Sequence, residues 1–178
     1  EIPISPLLHS MPFVSAFQRI GNTLWLGTTQ GLFCFDMKAK RWTHHYQNTA
    51  GKKETLSNDV LLSICPDPEE PSRFLWVGTQ GEGLNKLELA TGKCRRFSTR
   101  DGLPNDIVYG ILSDEFHNLW LSTNKGLCCF TPPKSDKYPL TCRNFTTEDG
   151  LANDEFNRYS YTKMADGRLV FGGTNGLT

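Results

Sequence analysis

The sequence predicts an all-β fold made of about four repeats, because two different motifs recur along the chain with the same period. The first motif, Leu-Trp-x-Gly-Thr, is followed within a few residues by Gly-Leu. Its copies lie at 24–28, 75–79, 119–123 and, in a looser form, 169–174. The second motif, Leu-x-Asn-Asp, occupies 56–59, 103–106 and 151–154, and a degenerate copy begins at Leu8. Two motifs in one register indicate repeated structural units.

Each repeat has the pattern of four short strands joined by tight turns. In the third repeat the strands are expected at Ile107–Ser113, Leu119–Thr123, Leu127–Phe130 and Arg143–Thr146. Four strands in ~40–50 residues are typical of a four-stranded antiparallel propeller blade. Residues 1–178 are therefore predicted to form a partial β-propeller, with blades near 12–47, 57–99, 106–147 and 155–178. The last blade is incomplete, so we expect either an open arc with exposed strand edges or a part of a longer chain, in preference to a closed four-bladed ring.

The first strand of each repeat has an alternative interpretation. The apolar residues of 56–64 and of 103–112 also lie at helical spacing. Periodicity alone does not separate a short buried strand from a short helix. The bounding Gly and Pro residues and the strand-like neighbours favour a strand buried on both faces, which is the environment of the innermost strand of a blade.

Composition excludes several classes of function. Nineteen basic residues balance nineteen acidic residues, so the chain lacks the positive field that nucleic acid or an anionic membrane surface requires. Walker, Rossmann and Gly-x-Ser-x-Gly patterns are absent from the sequence. No apolar run is long enough to span a membrane, and residues 1–10 lack the pattern of a signal peptide. We therefore expect no enzyme activity, cofactor or bound metal in this chain.

The residues of the two motifs are better explained by structure than by chemistry. Trp25, Trp76 and Trp120 resemble sugar-stacking platforms, but their recurrence beside apolar residues predicts packing between blades. The Asn-Asp pairs resemble acid/base or calcium ligands, yet short polar side chains in turns usually bind backbone groups. Both alternatives stay open for the Asn-Asp pairs, with the structural role preferred.

Other titratable residues give no convincing site. His44 and His45 are adjacent on a strand and point to opposite faces, which argues against joint metal binding. Asp67, Glu69 and Glu70 lie in a Pro-rich segment that predicts a solvated hairpin loop rather than a calcium site. The six cysteines follow the repeat, and equivalent positions in different blades lie too far apart for a disulfide. All six are expected to be unbridged, small apolar side chains.

The combination of Leu-Trp-x-Gly-Thr-x-x-Gly-Leu with Gly-Leu-Pro-Asn-Asp in one period resembles the two-component-regulator propeller repeat. The resemblance covers about 11–178, with departures at Val170, Ser122 and Glu82. It implies the sensor part of a hybrid histidine kinase/response regulator, in the periplasm. It also implies an adjoining immunoglobulin-like domain, further blades, kinase activity elsewhere in the parent and a parent homodimer.

The functional interpretation follows from this resemblance and from the turns. The preferred hypothesis is a propeller that senses a glycan-derived oligosaccharide and binds no nucleic acid. The alternatives are a dimerisation scaffold without a small ligand and, less favoured, a propeller hydrolase or lyase. Loops at one face of a propeller carry function, which selects residues that break the repeat there. The candidate ligand-binding residues on these turns are Gln30, Gln80, Glu82, Asn124, Lys125 and Asn175. Arg158 and Tyr159, near the start of the last inner strand, are further candidates that are expected to face the channel or its mouth.

Overall fold

The computed structural model describes residues 12–133 and 140–178, which form four antiparallel sheets. Blade 1 contains β1 (Val14–Ile20), β2 (Thr23–Thr28), β3 (Gly31–Asp36) and β4 (Arg41–Tyr46). Blade 2 contains β5 (Leu61–Pro66), β6 (Phe74–Thr79), β7 (Leu84–Glu88) and β8 (Cys94–Phe97). Blade 3 contains β9 (Gly110–Ser113), β10 (Leu119–Ser122), β11 (Leu127–Thr131) and β12 (Thr141–Phe145). Blade 4 contains β13 (Phe156–Lys163), β14 (Leu169–Gly173) and β15 (Gly176–Leu177).

The predicted all-β propeller fold is confirmed. Within every sheet the strands follow one another in chain order, so each blade is an antiparallel meander. The helical alternative for the first strands is wrong, because the described residues contain only two 3₁₀ turns, at Thr99–Asp101 and Thr147–Asp149. The first strand of blade 3 begins at Gly110, later than expected, since Ile107 forms an isolated bridge with Gln80 of blade 2. No helix among the described residues is long and apolar enough to cross a membrane.

Three apolar clusters join consecutive blades. The cluster between blades 1 and 2 contains Trp25 with Leu61 and Leu87, and the next one contains Trp76 with Leu119 and Phe130. Trp25 and Trp76 are buried, and the Trp76 ring lies 5.5 Å from the Phe130 ring. The predicted packing role of these tryptophans is therefore confirmed.

The third cluster, between blades 3 and 4, is smaller and more open. Its fully buried members are Leu127, Phe156 and Phe171, and Trp120 is only partly buried against them. Trp120 stacks on Phe145 of its own blade at a ring distance of 5.4 Å. The repeat tryptophan thus keeps its position in blade 3 but contacts the next blade less completely.

The two ends of the array keep apolar surface open. Leu24 and Leu26 of blade 1 are half-buried, whereas the corresponding Leu75 and Val77 of blade 2 are fully buried by blade 1. At the other end, Leu177 of β15 is 74% exposed. The first and last blades approach each other near the axis, where the rings of Phe13 and Tyr159 lie 5.9 Å apart.

One cysteine expectation is wrong, because Cys128 and Cys142 form a disulfide with a Cα–Cα distance of 6.2 Å. The argument from the sequence compared equivalent positions in different blades. The bond instead joins adjacent strands of one blade, β11 and β12, where Cys142 is paired with Phe130. Cys34, Cys65, Cys94 and Cys129 are free.

Removing this disulfide is expected to destabilise the protein. Cys142→Ala removes a bond between residues 14 positions apart. The free energy of unfolding should therefore fall by about 3 kcal/mol, as expected from the added conformational entropy of the unfolded chain. Urea unfolding without reductant measures the change, and Cys129→Ala, which removes a neighbouring free thiol, is the control. A thiol titration that finds six reactive cysteines in the denatured, unreduced chain would contradict the bond itself.

Candidate functional site

The loop face is the end of the blades where the loop from the fourth strand to the next blade meets the turn between the second and third strands. On this face the Asn-Asp pairs organise the loops. Asp106 accepts hydrogen bonds from the backbone N–H and hydroxyl of Thr99, at 2.7 and 3.2 Å. Asp154 binds Thr147 in the same way, at 2.7 and 3.4 Å. The Asn105 side chain accepts from the N–H of Ile107 at 2.7 Å. These contacts confirm the structural role of the motif.

Hydrogen bonds between backbones also tie each turn to the loop that leads into the next blade. The N–H of Gly83 in blade 2 donates to the carbonyl of Asp106 at 2.7 Å. Gly31 donates to Asp59 at 2.8 Å, and Gly126 donates to Asp154 at 2.6 Å. The turns and the Asn-Asp loops therefore share one face of the blades.

The predicted turn residues lie along this face. The carbonyl of Gln30 lies 2.7 Å from the imidazole Nε2 of His45, while the carbonyl of Gln80 accepts from the Asn58 amide at 3.3 Å. Gln30, Gln80, Glu82, Lys125 and Asn175 are exposed. Among the described residues, no hydrogen bond or ion pair joins these side chains from one blade to another. The structure thus distributes them over the loop face without bringing them together.

Asn124 differs from the other turn residues, because its side-chain oxygen is buried and has no hydrogen-bond partner among the described residues. A buried amide oxygen without a partner is costly, so it is an acceptor available to a bound water or ligand. Asn124 is the best-supported polar candidate on the loop face.

A second candidate site lies where the innermost strands of the four blades meet. A cavity of about 360 Å³, here called the axial cavity, is lined by residues of all four strands, including Phe17, Cys65, Ile111 and Tyr159. Tyr159 was selected from the sequence for the channel or its mouth, and it lies there. Arg158 is exposed, and its carbonyl accepts from the Ser160 hydroxyl at 3.3 Å.

Tyr159 owes its position to a large bulge in β13. Phe156 pairs with Gly173 and Tyr161 pairs with Phe171, so residues 157–160 face Gly172 alone. Tyr159 has φ +61°, a left-handed backbone that is uncommon for a residue with a bulky side chain. Bulges often redirect a side chain next to a functional site.

The deep part of the axial cavity is electrically neutral at physiological pH. Burial raises the pKa of the Cys65 thiol to about 12, with a further increase from the nearby Asp67 charge and a small opposing effect of Lys163. Burial also raises the pKa of Tyr161 to about 12. Both groups therefore present uncharged S–H and O–H groups near pH 7.

The sequence analysis did not select Phe13, whose ring is in contact with that of Tyr159, or Phe17, which lines the axial cavity. Phe13 is 60% exposed and Phe17 is 74% exposed, although both are large apolar side chains. The spacing did not by itself indicate this site, because the interval from the Asn-Asp pair to the next repeat leucine varies: it is 16 positions from Asp59 to Leu75, 13 from Asp106 to Leu119 and 15 from Asp154 to Leu169. In blade 4 the two residues beyond the interval of blade 3 are absorbed by the bulge of β13.

Asp67 corrects another expectation, because its carboxylate is buried rather than solvated. It accepts hydrogen bonds from the indole N–H of Trp76 at 2.9 Å and from the Glu70 N–H at 2.9 Å, and it pairs with Lys86 at 2.8 Å. Burial by itself would raise its pKa. The hydrogen bonds and charge of Lys86, with the N–H groups of Glu70 and Glu69, outweigh burial and lower the pKa from its usual value.

This ionised carboxylate should make stability depend on pH. Because the pKa of Asp67 is lower in the folded chain, its contribution is complete above about pH 5 and is lost as the pH falls through the folded pKa. Asp67→Asn should lower the free energy of unfolding by about 2 kcal/mol at pH 7, and by progressively less at acid pH. Urea unfolding between pH 3 and pH 7 tests this, with the exposed Glu69→Gln as control. A cost of Asp67→Asn that is the same at every pH would contradict it.

No group of three or more His, Cys, Asp or Glu side chains that could hold a metal ion occurs within 12–133 and 140–178. His44 and His45 do not act together, since His45 stacks on Phe33 at 3.8 Å and His44 stacks on Tyr46 at 5.7 Å.

Comparison with known proteins identifies the repeat. A family model described as the two component regulator propeller matches residues 102–125, which contain the Asn-Asp loop and the tryptophan strand of blade 3. No curated protein has a matching sequence.

Two solved structures show the same fold. One is the extracellular domain of a protein named as a hybrid two component system, BT3049 from B. thetaiotaomicron, with 21% identity and a TM-score of 0.68. That match covers 98% of this chain and 28% of the other. The other is the extracellular domain of BT4673 from B. thetaiotaomicron, also named as a hybrid two component system, with 19% identity and a TM-score of 0.56. It covers 92% of this chain and 25% of the other.

The chain thus spans between a quarter and a third of the length of these solved domains. At this level of identity the likeness establishes the fold, while the match at residues 102–125 concerns the repeat itself. The resemblance predicted from the sequence is confirmed: in its repeat and in its fold, this chain is similar to the two component regulator propellers.

Proposed function

We propose that this chain is part of the extracytoplasmic sensor of a hybrid two-component system and contributes to the recognition of a glycan-derived oligosaccharide. The observation that carries the proposal is the two component regulator propeller repeat at 102–125, in a chain with the fold of extracellular domains of such systems. Occupancy of the sensor would then be transmitted to a histidine kinase in the same parent protein, with the immunoglobulin-like domain between them.

A periplasmic location is supported by the Cys128–Cys142 disulfide, because disulfides persist in oxidising compartments and are rare in the cytosol. The chain itself is proposed to bind and not to catalyse. Its buried carboxylate, Asp67, is fully engaged by Trp76 and Lys86, and the Asp residues of the loop face are engaged by backbone groups.

The chemistry of the loop face suits a sugar. Exposed amides and a carboxylate, such as Gln80, Glu82 and Asn175, offer both donors and acceptors for hydroxyl groups. Asn124 adds an unpaired buried oxygen. These groups lie on a rigid array of blades, which is the usual support for a binding site on loops.

Isothermal titration calorimetry with a library of neutral and acidic oligosaccharides tests the proposal, on this chain and on the whole extracytoplasmic region of its parent. Binding without turnover is the expected result. Asn124→Ala should weaken it, and Glu69→Ala, on the opposite face, should not. Hydrolysis of a library member, or the absence of binding to either protein, would refute the proposal.

A second candidate function is a dimerisation scaffold without a small ligand. The exposed Leu177 at one end and the half-buried Leu24 and Leu26 at the other favour it, since uncovered blade faces are association sites. Light scattering distinguishes the two functions: concentration-dependent association that Leu177→Lys abolishes, with no oligosaccharide binding, supports the scaffold. A stable monomer excludes it.

A further inference from the structure

We propose that the axial cavity is a binding site for an uncharged sugar ring, which stacks on Tyr159. The inference rests on the proposed sensor function, and adds to it the place of one subsite and the charge of its ligand. Four features of the described residues lead to it: the bulge of β13, the exposed aromatic rings, the neutral lining and the volume.

The bulge of β13 has a local cost in free energy. Residues 157–160 leave the regular ladder, and Tyr159 takes a left-handed conformation that costs about 1 kcal/mol or more in a bulky residue. The corresponding inner strands of blades 1 and 2 accommodate a single extra residue each, Ser15 and Leu62. Among the inner strands that the structure describes, only β13 directs an aromatic ring towards the axis through a bulge. A local cost of this kind indicates a function at the residue that bears it.

The rings at the axis are exposed where burial would be expected. Phe13, Phe17 and Tyr159 are 60%, 74% and 47% exposed, and the Phe13 and Tyr159 rings are in tilted contact. Together they offer apolar faces of a size that suits the C–H face of a pyranose. The hydroxyl of Tyr159 provides a polar group at the edge of this surface, as in other amphipathic binding surfaces.

The lining of the axial cavity favours a neutral ligand. The described residues that line it are all uncharged. Its polar groups include the Ser15 hydroxyl, the Gln18 amide, the Cys65 thiol and the Tyr161 hydroxyl. The ammonium group of Lys163, on the same strand as Tyr161, donates to the carbonyl of Ser113 at 2.8 Å. A uronate or sulfate group inside the axial cavity would therefore lose water without gaining a counter-charge from the lining.

The volume limits the size of the ligand. At about 360 Å³ the axial cavity lies near the lower end of small-molecule sites, which are roughly 300–1,000 Å³. It accommodates one or two sugar rings and leaves the rest of a longer oligosaccharide outside the axial cavity.

The test compares Tyr159→Gly with Tyr159→Phe in calorimetric titrations with neutral gluco- and xylo-oligosaccharides and with their uronate-containing counterparts. Glycine removes the ring and accepts the left-handed backbone without strain, so the variant should fold at least as stably as the parent chain. We expect Tyr159→Gly to weaken binding of the neutral ligands about tenfold or more, and Tyr159→Phe to weaken it by less than about threefold. Phe116→Ala removes an exposed aromatic ring outside the axial cavity and should leave binding unchanged.

The outcomes separate this inference from the proposed function. If oligosaccharides bind but Tyr159→Gly has no effect, or if only the uronates bind, the axial site is refuted and the sensor function stands. If no oligosaccharide binds at all, both fail. Loss of affinity in Tyr159→Gly, with an unchanged thermal melt and full affinity in Phe116→Ala, establishes the site.

Discussion

Trp76→Ala is expected to destabilise the chain by about 3–5 kcal/mol, the usual cost of truncating a large buried aromatic residue. Trp76 is fully buried at the junction of blades 2 and 3, where its ring contacts Phe97 and Phe130. The substitution also removes the indole N–H that binds the buried Asp67, leaving a charged acceptor with one donor fewer. Urea unfolding followed by far-ultraviolet circular dichroism measures the change.

The matched control for this prediction is Gln80→Ala, four residues further along the same chain segment. The side chain of Gln80 is exposed, and surface substitutions usually change stability by less than about 0.5 kcal/mol. Trp76→Phe separates the two contributions to stability, because it retains most of the packing and loses the hydrogen bond to Asp67. If Trp76→Ala and Gln80→Ala have equal, small effects, Trp76 does not hold the blades together.

Gly83→Ala should be destabilising by more than about 3 kcal/mol, the second of the two largest effects expected. Gly83 has φ +75°, which disfavours any side chain, and an added Cβ would overlap the carbonyl of Phe97 on the neighbouring strand β8. Relief of this overlap requires β7 and β8 to separate, which would also disturb the hydrogen bond from Gly83 to Asp106 of the next loop.

Gly81→Ala in the same turn serves as the control that separates the steric overlap at Gly83 from the cost of the backbone conformation. Gly81 has φ +118°, yet an added Cβ would meet nothing within 4 Å. It should therefore show only the backbone cost, about 1–2 kcal/mol. The difference between the two variants in urea unfolding measures the close approach of Gly83 to Phe97. Equal losses of stability in Gly81→Ala and Gly83→Ala would show that β7 and β8 can separate enough for the added Cβ at no cost in free energy.

The fold was predictable from the sequence because it is repeated. The period of the tryptophan and Asn-Asp motifs fixed the number of blades, and the recurrence of Trp25 and Trp76 beside apolar residues identified them as packing residues. The loop contacts of Asp106 and Asp154 followed from the ordinary behaviour of short polar side chains in turns.

The features that were not predicted are those in which one blade departs from the others. The Cys128–Cys142 bond joins neighbouring strands of a single blade, a relation that comparison between blades does not reveal. The Pro-rich context of Asp67 suggested solvent, whereas the indole of Trp76 and the ammonium of Lys86 bury it. The two additional residues before Leu169 were visible in the spacing, but only the strand pairing shows that they enlarge β13 rather than a hairpin loop.

The hydrogen bonds from the turn glycines to the Asn-Asp loops have a consequence for the way the array comes apart. Gly31, Gly83 and Gly126 each donate a backbone hydrogen bond to the loop that enters the following blade. Blades 1, 2 and 3 are therefore each bound to the next blade on the loop face as well as through the apolar clusters. Stability in such an array is a sum over nearest neighbours. Opening is therefore expected at one junction at a time, and among the three junctions of the described blades the one between blades 3 and 4, with the smallest buried cluster, should separate first. Amide protection should then decline from blade 2 towards blade 4, which makes the blade that carries Tyr159 the most adjustable part of the molecule.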